Sequence, residues 1–465
     1  MTVQRFWQEI HHCFDPIEAV AVDQPELHAE RDVNYNVIAR LERRLSVSTR
    51  ARHRWLLTGA VGNGKSSELN YCAAKLTRNR VVVVLDLWEH MRNRVREPKA
   101  LDRMQMWELL GLIGLAICRA GADHLGHRWE DEPKVLEKAL AALRESDAKG
   151  GKAEIDVLAL ARGMTVAVGG VVAGPLVAVA GEAVVETGMT MLKSAADAVD
   201  WTWKIGLGDS KRRGDQEGEV RAVLNAVNRL IGSLHEAYGR SLLLIVDGLD
   251  RIDASEQIKA LFVDSTLLGE LICDQLLTAP LKLMRRQGPH VDRFELEDLY
   301  NIPVLRREDP RQLGPGVGFF HDLVARRVAF VRRRLAVDGL TGPAEPLPPP
   351  IVDRLAYYSG GVARDFVHLV RDAAFEALAD AREQVDDAIV DVVLREARRR
   401  KEYYIAKDQI ALLEQVMNDP DHALPDGDVA LELLTQKRLL AYPNKTTWYF
   451  PHPILTLALL EFPPG

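Results

Sequence analysis

Cysteine is scarce in this chain: there are four, Cys13, Cys72, Cys118 and Cys273, at no metal-binding or redox spacing. That excludes a disulfide framework and a thiolate metal site, and leaves the four to be read as small buried apolar residues. An excess of positive charge is lacking too. A formal net charge of −7 excludes a surface coated in basic residues. Contact with nucleic acid would therefore fall to local patches such as Arg326-Arg327, Arg332–Arg334 and Arg398–Lys401. No signal-like N-terminus is visible, which together with the cysteine pattern leads to the expectation of a cytoplasmic chain. No appended nuclease, protease or deaminase constellation is visible either, so any effector is expected on a separate polypeptide. What remains, 47% apolar and 27% charged over 465 residues, is the composition of a globular protein.

Against that background one run stands out. Gly59-Ala60-Val61-Gly62-Asn63-Gly64-Lys65-Ser66 fits the phosphate-binding pattern G-x-x-x-x-G-K-[ST] and follows a short apolar stretch, Trp55–Thr58, that reads as a strand. The glycines let backbone N–H groups curl around a β-phosphate, Lys65 supplies a point charge, and the Ser66 hydroxyl can ligate magnesium. Ser67 to Leu76 has the spacing of a helix whose N-terminus faces the phosphates. The expected phosphate-binding set is Gly59, Gly62, Asn63, Gly64, Lys65, Ser66 and Ser67.

A second element fits the first. Leu242–Val246 is a continuous apolar run that ends in Asp247, as in a buried parallel strand delivering a carboxylate to its C-terminal edge. Asp247 is the candidate Walker B acid and, with Ser66, the candidate magnesium ligand; Asp250, three residues on, could polarise an attacking water. The plainer reading is an acidic helix cap at a strand end.

Elsewhere the pattern predicts a leader over 1–50 that packs near the nucleotide, with a helix from Tyr35 to Leu45. It predicts a strand over Val81–Asp86 and helices over Met104–Ala120 and Val220–Tyr238. Alternation of this kind implies a parallel sheet wrapped by helices. Within an insert at about 150–215, residues 164–181 carry no charge, are rich in Gly, Ala and Val, and contain a Gly170-x-x-x-Gly174 spacing. This length reaches the lower bound for a membrane span, but Pro175 and the glycine content favour a buried or self-associating insert, with membrane contact as the alternative. Leu276–Pro280 reads as a further strand that would end beside the γ-phosphate, with Thr278 either a sensor hydroxyl or an ordinary strand threonine. A basic helix, Phe319–Leu335, precedes the proline run at 342–350, the best domain boundary. Three helices then suggest a lid over 343–403, after a P-loop ATPase domain over 51–342. Two helices and a hairpin over 404–465 read as a winged helix.

The P-loop, the Asp247-Gly248-Leu249-Asp250 segment, Thr278-Ala279-Pro280, Gly360-Gly361-x-x-Arg364-Asp365 and the terminal winged helix together resemble the AAA+ and STAND superfamily of ATPases. The implied fold class is α/β: a P-loop NTPase parallel sheet flanked by helices, followed by a helical lid and a C-terminal winged-helix domain. The resemblance further implies ATP with Mg2+ as cofactors and a nucleotide-driven switch. It places Arg364 at the sensor 2 position, against the bland alternative of an Arg–Asp helix cap. It also implies homo-oligomer assembly on ATP binding and a separate protein effector, with a role in prokaryotic signalling or antiviral defence. One departure is plain: AAA+ enzymes usually carry Asp-Glu where this chain has Asp247-Gly248. A later acid such as Asp250 is closer to the STAND pattern and suggests slow hydrolysis. Arg285, Arg286, Arg306 and Arg307 are all candidates for an arginine finger. The alternative reading is a DNA-binding AAA+ ATPase of the initiator or transposition-regulator type, contacting DNA through the winged helix and the basic helices.

Overall fold

The long β-branched and leucine runs of this chain become the centre of one sheet. In the computed structural model, the described residues are 2–21, 23–32, 34–47, 52–77, 79–92, 98–147, 166–168, 217–285, 293–443 and 446–462. The strands are β1 (Arg54–Thr58), β2 (Val81–Asp86), β3 (Val166–Val168), β4 (Leu242–Asp247), β5 (Asp274–Thr278) and β6 (Glu295–Asp298), arranged in the order β3-β2-β4-β5-β1-β6. The pairs β2–β4, β4–β5 and β5–β1 are parallel. Buried on both faces, β2 and β4 have no need of alternating polar residues, which is why their sequences are almost uninterrupted Val and Leu. β3 pairs antiparallel with β2 and is the one described piece of the 164–181 stretch; the rest of that insert lies outside the described residues.

The helices used below are α1 (Thr2–Cys13), α2 (Val37–Ser46), α3 (Lys65–Leu76), α4 (Met106–Arg119), α5 (Glu132–Asp147) and α6 (Glu217–Tyr238). They continue with α7 (Val317–Val337), α8 (Pro349–Tyr358), α9 (Ala363–Ala379), α10 (Asp387–Glu402), α11 (Lys407–Asn418) and α12 (Asp428–Thr435). A two-stranded antiparallel hairpin, β7 (Leu439–Tyr442) and β8 (Trp448–Pro451), follows α12. Among the described residues, no helix is long and apolar enough to cross a membrane.

The chain divides into two compact units, a first that contains the P-loop and a second that contains the central strands. One comprises Leu41–Thr58 and Cys72–Glu297 and contains the central strands. Its core joins Leu85, Val246 and Leu277 of the sheet to Leu109, Ile113 and Ile117 of α4, and to Val227 and Leu230 of α6. A helix as apolar as α4 is stable in water only when covered on most sides, and α5 and α6 pack against it here.

The other unit comprises Met1–Arg40, Gly59–Tyr71 and Asp298–Gly465, and so contains the P-loop, the three lid helices α8–α10 and the winged helix formed by α11, α12 and the β7–β8 hairpin. Its N-terminal helix α1 packs against α7 and α9 through Phe6, Trp7 and Ile10, all fully buried. The Trp7 indole donates to the Arg382 carbonyl at 2.7 Å. Arg327 of α7 is buried with its guanidinium over the Phe14 ring at 4.9 Å and donates to the Cys13 carbonyl at 2.9 Å.

Candidate nucleotide site

At the end of β1 the chain enters the P-loop, and its shape depends on glycine. Gly59, Gly62 and Gly64 all adopt positive φ, at 141°, 96° and 87°. A Cβ at Gly59 would stand 2.6 Å from the Leu299 carbonyl oxygen, so backbone packs directly on backbone there. α3 begins at Lys65, and the buried Lys65 ammonium donates to the carbonyls of Gly59 at 2.7 Å and Ala60 at 3.1 Å. The lysine thus lies across the mouth of its own loop, where a phosphate would compete for it.

The first unit braces this loop from outside through residues that no motif marks. Arg31, in the leader, donates to Asn63 O, to Glu68 Oε1 at 2.8 Å and to Tyr300 O at 2.9 Å. His28 stacks on Tyr71 at 3.9 Å and places its Nε2 3.4 Å from Glu68 Oε2. Burial pushes the Glu68 carboxyl up, yet hydrogen bonds and charge from His28 and Arg31 outweigh it and hold the group below the usual carboxylate range. Ser67 Oγ accepts from Val20 N at 3.1 Å.

A strap of four consecutive residues ties the same loop to the rest of the unit. Asn63 Nδ2 donates to Leu299 O at 2.9 Å, and Arg31 reaches Tyr300 O. Asn301 N and Nδ2 both donate to Ala441 O of the hairpin at 3.1 Å, and Ile302 N donates to Gly361 O of the lid turn at 3.0 Å.

The lid motif meets the P-loop directly. Arg364 N donates to Gly62 O at 3.0 Å, and a Cβ at Gly62 would lie 3.0 Å from Arg364 Cβ and 3.5 Å from Lys437 Nζ. The neighbouring Asp365 carboxylate joins Lys401 Nζ at 2.7 Å, Lys437 Nζ and, at 3.4 Å, His452 Nε2. Burial raises the Asp365 carboxyl, but the charges of Lys401 and Lys437 prevail and hold it well below the usual range. Burial and the Lys401 charge push His452 down to about 4, so its ring is neutral in the folded protein at pH 7.

In the second unit, β4 delivers Asp247 to the C-terminal edge of the sheet, the edge at which β1 also ends. Asp247 is buried and its Oδ1 accepts from Gly248 N at 2.8 Å. Parallel register sets Asp86, the last residue of β2, beside Asp247. Burial first, and then the charge of Asp247, raise the Asp86 carboxyl to about 7. The sequence marks the Val81–Asp86 strand but not its terminal acid; the signal for Asp86 is its position, since two adjacent parallel strands both end in aspartate. Two carboxylates crowded in this way would be relieved by a divalent cation, so the residues fit a magnesium site. Asp250 lies in the one-turn helix Leu249–Arg251.

Thr278, at the end of β5, is fully buried; its hydroxyl oxygen accepts from Leu249 N at 3.1 Å and lies 3.5 Å from Val246 O. The threonine therefore holds the Asp247–Asp250 turn in place. Gly248 has a φ of 92°, and a Cβ there would be 2.5 Å from Trp88 N. No glutamate fits where AAA+ enzymes usually carry one.

The basic runs are largely committed to internal partners. Arg398, Arg399, Arg400 and Lys401 pair with Glu402, Glu396, Asp372 and Asp365 at 3.5, 2.8, 2.7 and 2.7 Å. In α7, Arg326 pairs with Asp322 at 2.7 Å and Arg334 with Glu9 at 3.3 Å, while Arg332 donates to the carbonyls of Pro343 and Ala344 at 2.7 Å. Among the arginine-finger candidates, Arg306 donates to Leu313 O at 3.0 Å and Arg307 pairs with Asp421 at 3.6 Å. Arg286 lies outside the described residues.

No family model matches the chain, and no curated protein matches it in sequence. Among solved structures it is similar to the Orc1 protein of Aeropyrum pernix in complex with DNA, at 11% identity over 93% of this chain and 94% of that one, with a TM-score of 0.40. It is similar also to the Orc2 protein of Aeropyrum pernix in its ADP form, at 13% identity over 96% and 94%, TM-score 0.41. A third is Cdc6p of Pyrobaculum aerophilum, at 11% identity over 94% and 97%, TM-score 0.34. Likenesses this distant assign no function. From its own sheet order, P-loop and C-terminal elements, the chain has an α/β fold, a largely parallel P-loop-bearing sheet wrapped by helices, with a C-terminal winged helix.

Proposed function

We propose that this protein is an ATP-binding molecular switch of the STAND or AAA+ type that hydrolyses its nucleotide slowly and controls a partner. In this reading Gly59, Gly62, Asn63, Gly64, Lys65, Ser66 and Ser67 hold the phosphates of ATP, and Ser66 and Asp247 hold Mg2+. Magnesium would shield the phosphate charge and favour departure of the γ-phosphoryl group. Lys65 exchanges its carbonyl partners in the loop for phosphate oxygens. With position 248 closed to a side chain, water activation falls to an acid farther along, Asp250, which suits a timer better than a fast motor.

The observation that carries the switch is the bond from Arg364 N to Gly62 O. It joins the first turn of α9 to the P-loop, while the adjacent Asp365 binds Lys437 and His452 of the winged helix. In this reading occupancy of the loop passes through Arg364 and its neighbour Asp365 to the winged helix. Homo-oligomer assembly on ATP binding, a separate protein effector and a defence role belong to the same proposal.

The test is particle mass by light scattering with and without a non-hydrolysable ATP analogue and magnesium, on the wild type and Lys65→Ala. Assembly in the wild type alone supports the switch; equal assembly in both variants, with or without nucleotide, overturns it.

A DNA-acting ATPase is the second reading, favoured by the winged helix itself. It requires a salt-sensitive affinity for duplex DNA that falls when Arg398, Arg399 and Arg400 are neutralised. The ion pairs of those three arginines weigh against them as the contact.

A further inference from the structure

With most of its arginines paired, the first unit leaves one cationic and aromatic corner turned outward. It follows α10 directly. Tyr403 and Tyr404 are 66% and 83% exposed, with ring centroids 4.2 Å apart. Tyr404 has a φ of 55°, a conformation that residues with a side chain seldom adopt. What holds it there is Arg438, itself buried, whose guanidinium donates to the carbonyl oxygens of Tyr403 and Tyr404. Burial of apolar surface would turn these rings inward; the fold instead fixes a backbone that displays them.

Along the chain on either side of the pair, one sign of charge is in excess. Residues 395–408 carry six cations (Arg395, Arg398, Arg399, Arg400, Lys401 and Lys407) against three acids (Glu396, Glu402 and Asp408). Arg395 and Lys407 are exposed and, among the described residues, have no carboxylate at ion-pair distance. A partner matched to this corner presents flat π faces and distributed negative charge together. An apolar protein groove has no use for the cations, an acidic peptide has no use for the rings, and a duplex keeps its base faces stacked away.

We propose that Tyr403 and Tyr404, with Arg395 and Lys407 flanking them in the chain, form a stacking platform for single-stranded nucleic acid, bases on the rings and phosphates on the two free cations. The platform does not depend on the ATP reading, because none of its residues touches the P-loop.

The test is fluorescence anisotropy of the full chain with a labelled oligo-thymidine strand and with a duplex of equal length, across a salt series. The wild type is expected to prefer the single strand. The double substitution Tyr403→Ser with Tyr404→Ser is expected to weaken that binding on the order of ten-fold for each stacking ring lost. Arg395→Gln with Lys407→Gln is expected to flatten the log–log salt slope by about 1.4, two phosphate contacts on a single strand. Since the rings are exposed, both variants should melt as the wild type does, which a thermal scan checks. Equal affinity of the tyrosine variant and the wild type overturns the platform, as does a preference for duplex or no binding at low salt. Lys65→Ala should leave this binding unchanged without nucleotide, so failure of the platform and failure of the ATP reading are separately visible.

Discussion

Gly248 turns its α-carbon against Trp88: a Cβ added to the glycine would meet the Trp88 backbone nitrogen at 2.5 Å. The contact is with main chain, which cannot rotate away, and the glycine φ of 92° is left-handed. Gly248→Ala should therefore lower stability by at least about 1–3 kcal/mol, read as a fall in thermal midpoint. Gly248→Glu, which would restore the common Asp-Glu pair, should lose stability and gain no ATPase rate. A faster and stable glutamate variant would show that the turn is softer than its geometry.

Lys65 is buried and already hydrogen-bonded to the loop it would serve. On the proposed reading Lys65→Ala removes a charge-assisted phosphate contact of about 1.5–3 kcal/mol, so affinity for ATP should fall roughly 10- to 100-fold by titration calorimetry. Asp247→Asn should keep more of the nucleotide affinity than of the hydrolysis. Unchanged turnover in that variant moves the magnesium site elsewhere.

Asp86 behaves in the opposite sense to most carboxylates. Its folded value is raised to about 7 by burial and by Asp247, above the ordinary 3.8, so the folded state holds a proton that the unfolded chain releases. Its contribution is favourable at low pH and is lost as pH rises from about 4 through 7. Without magnesium, Asp86→Asn should raise the melting temperature at pH 8 and leave it nearly unchanged at pH 4. A drop at pH 8 would mean that the carboxylate is stabilised by something other than a metal.

His452 is fully buried and held down at about 4, against 6.5 for the free side chain. Between those values the unfolded chain takes up a proton that the folded protein refuses, so stability falls as pH drops from 6.5 to 4, by about 3 kcal/mol at most. Asp365 adds its own loss only below the usual carboxylate range, because its folded value is depressed. Denaturant melts of the wild type and His452→Gln at pH 7 and pH 5 should converge as pH falls. Parallel curves would place the acid sensitivity in another group.

Much of the second unit could be read in advance because burial on both faces leaves an unmistakable trace: Val81–Leu85 and Leu242–Val246 have no polar residue to confuse the reading. β6 escaped because Glu295–Asp298 is an edge strand of only four residues with a single apolar one, Leu296, too short a run for its alternation to stand out. Helix α1 was legible but unread; Phe6, Trp7, Ile10 and Phe14 make a helical stripe, masked by the histidines and acids between them. Within the candidate site, glycine and lysine spacing exposed the P-loop because covalent geometry demands it. Arg31 could not be seen this way. Its partners Asn63, Glu68 and Tyr300 are brought together only by the folded chain, and one leader arginine carries no local signature.

The strap from Leu299 to Ile302 sets how the first unit can respond. Four adjacent residues hold the P-loop, the leader, the hairpin and the lid turn, each by a bond to a different segment. Neighbours in sequence are joined covalently, so a displacement of one rung pulls on the other three. One residue inserted between Tyr300 and Asn301 would leave the P-loop and leader rungs in register and throw the hairpin and lid rungs out of step, severing the P-loop end of the unit from its winged end without altering a single side chain in either.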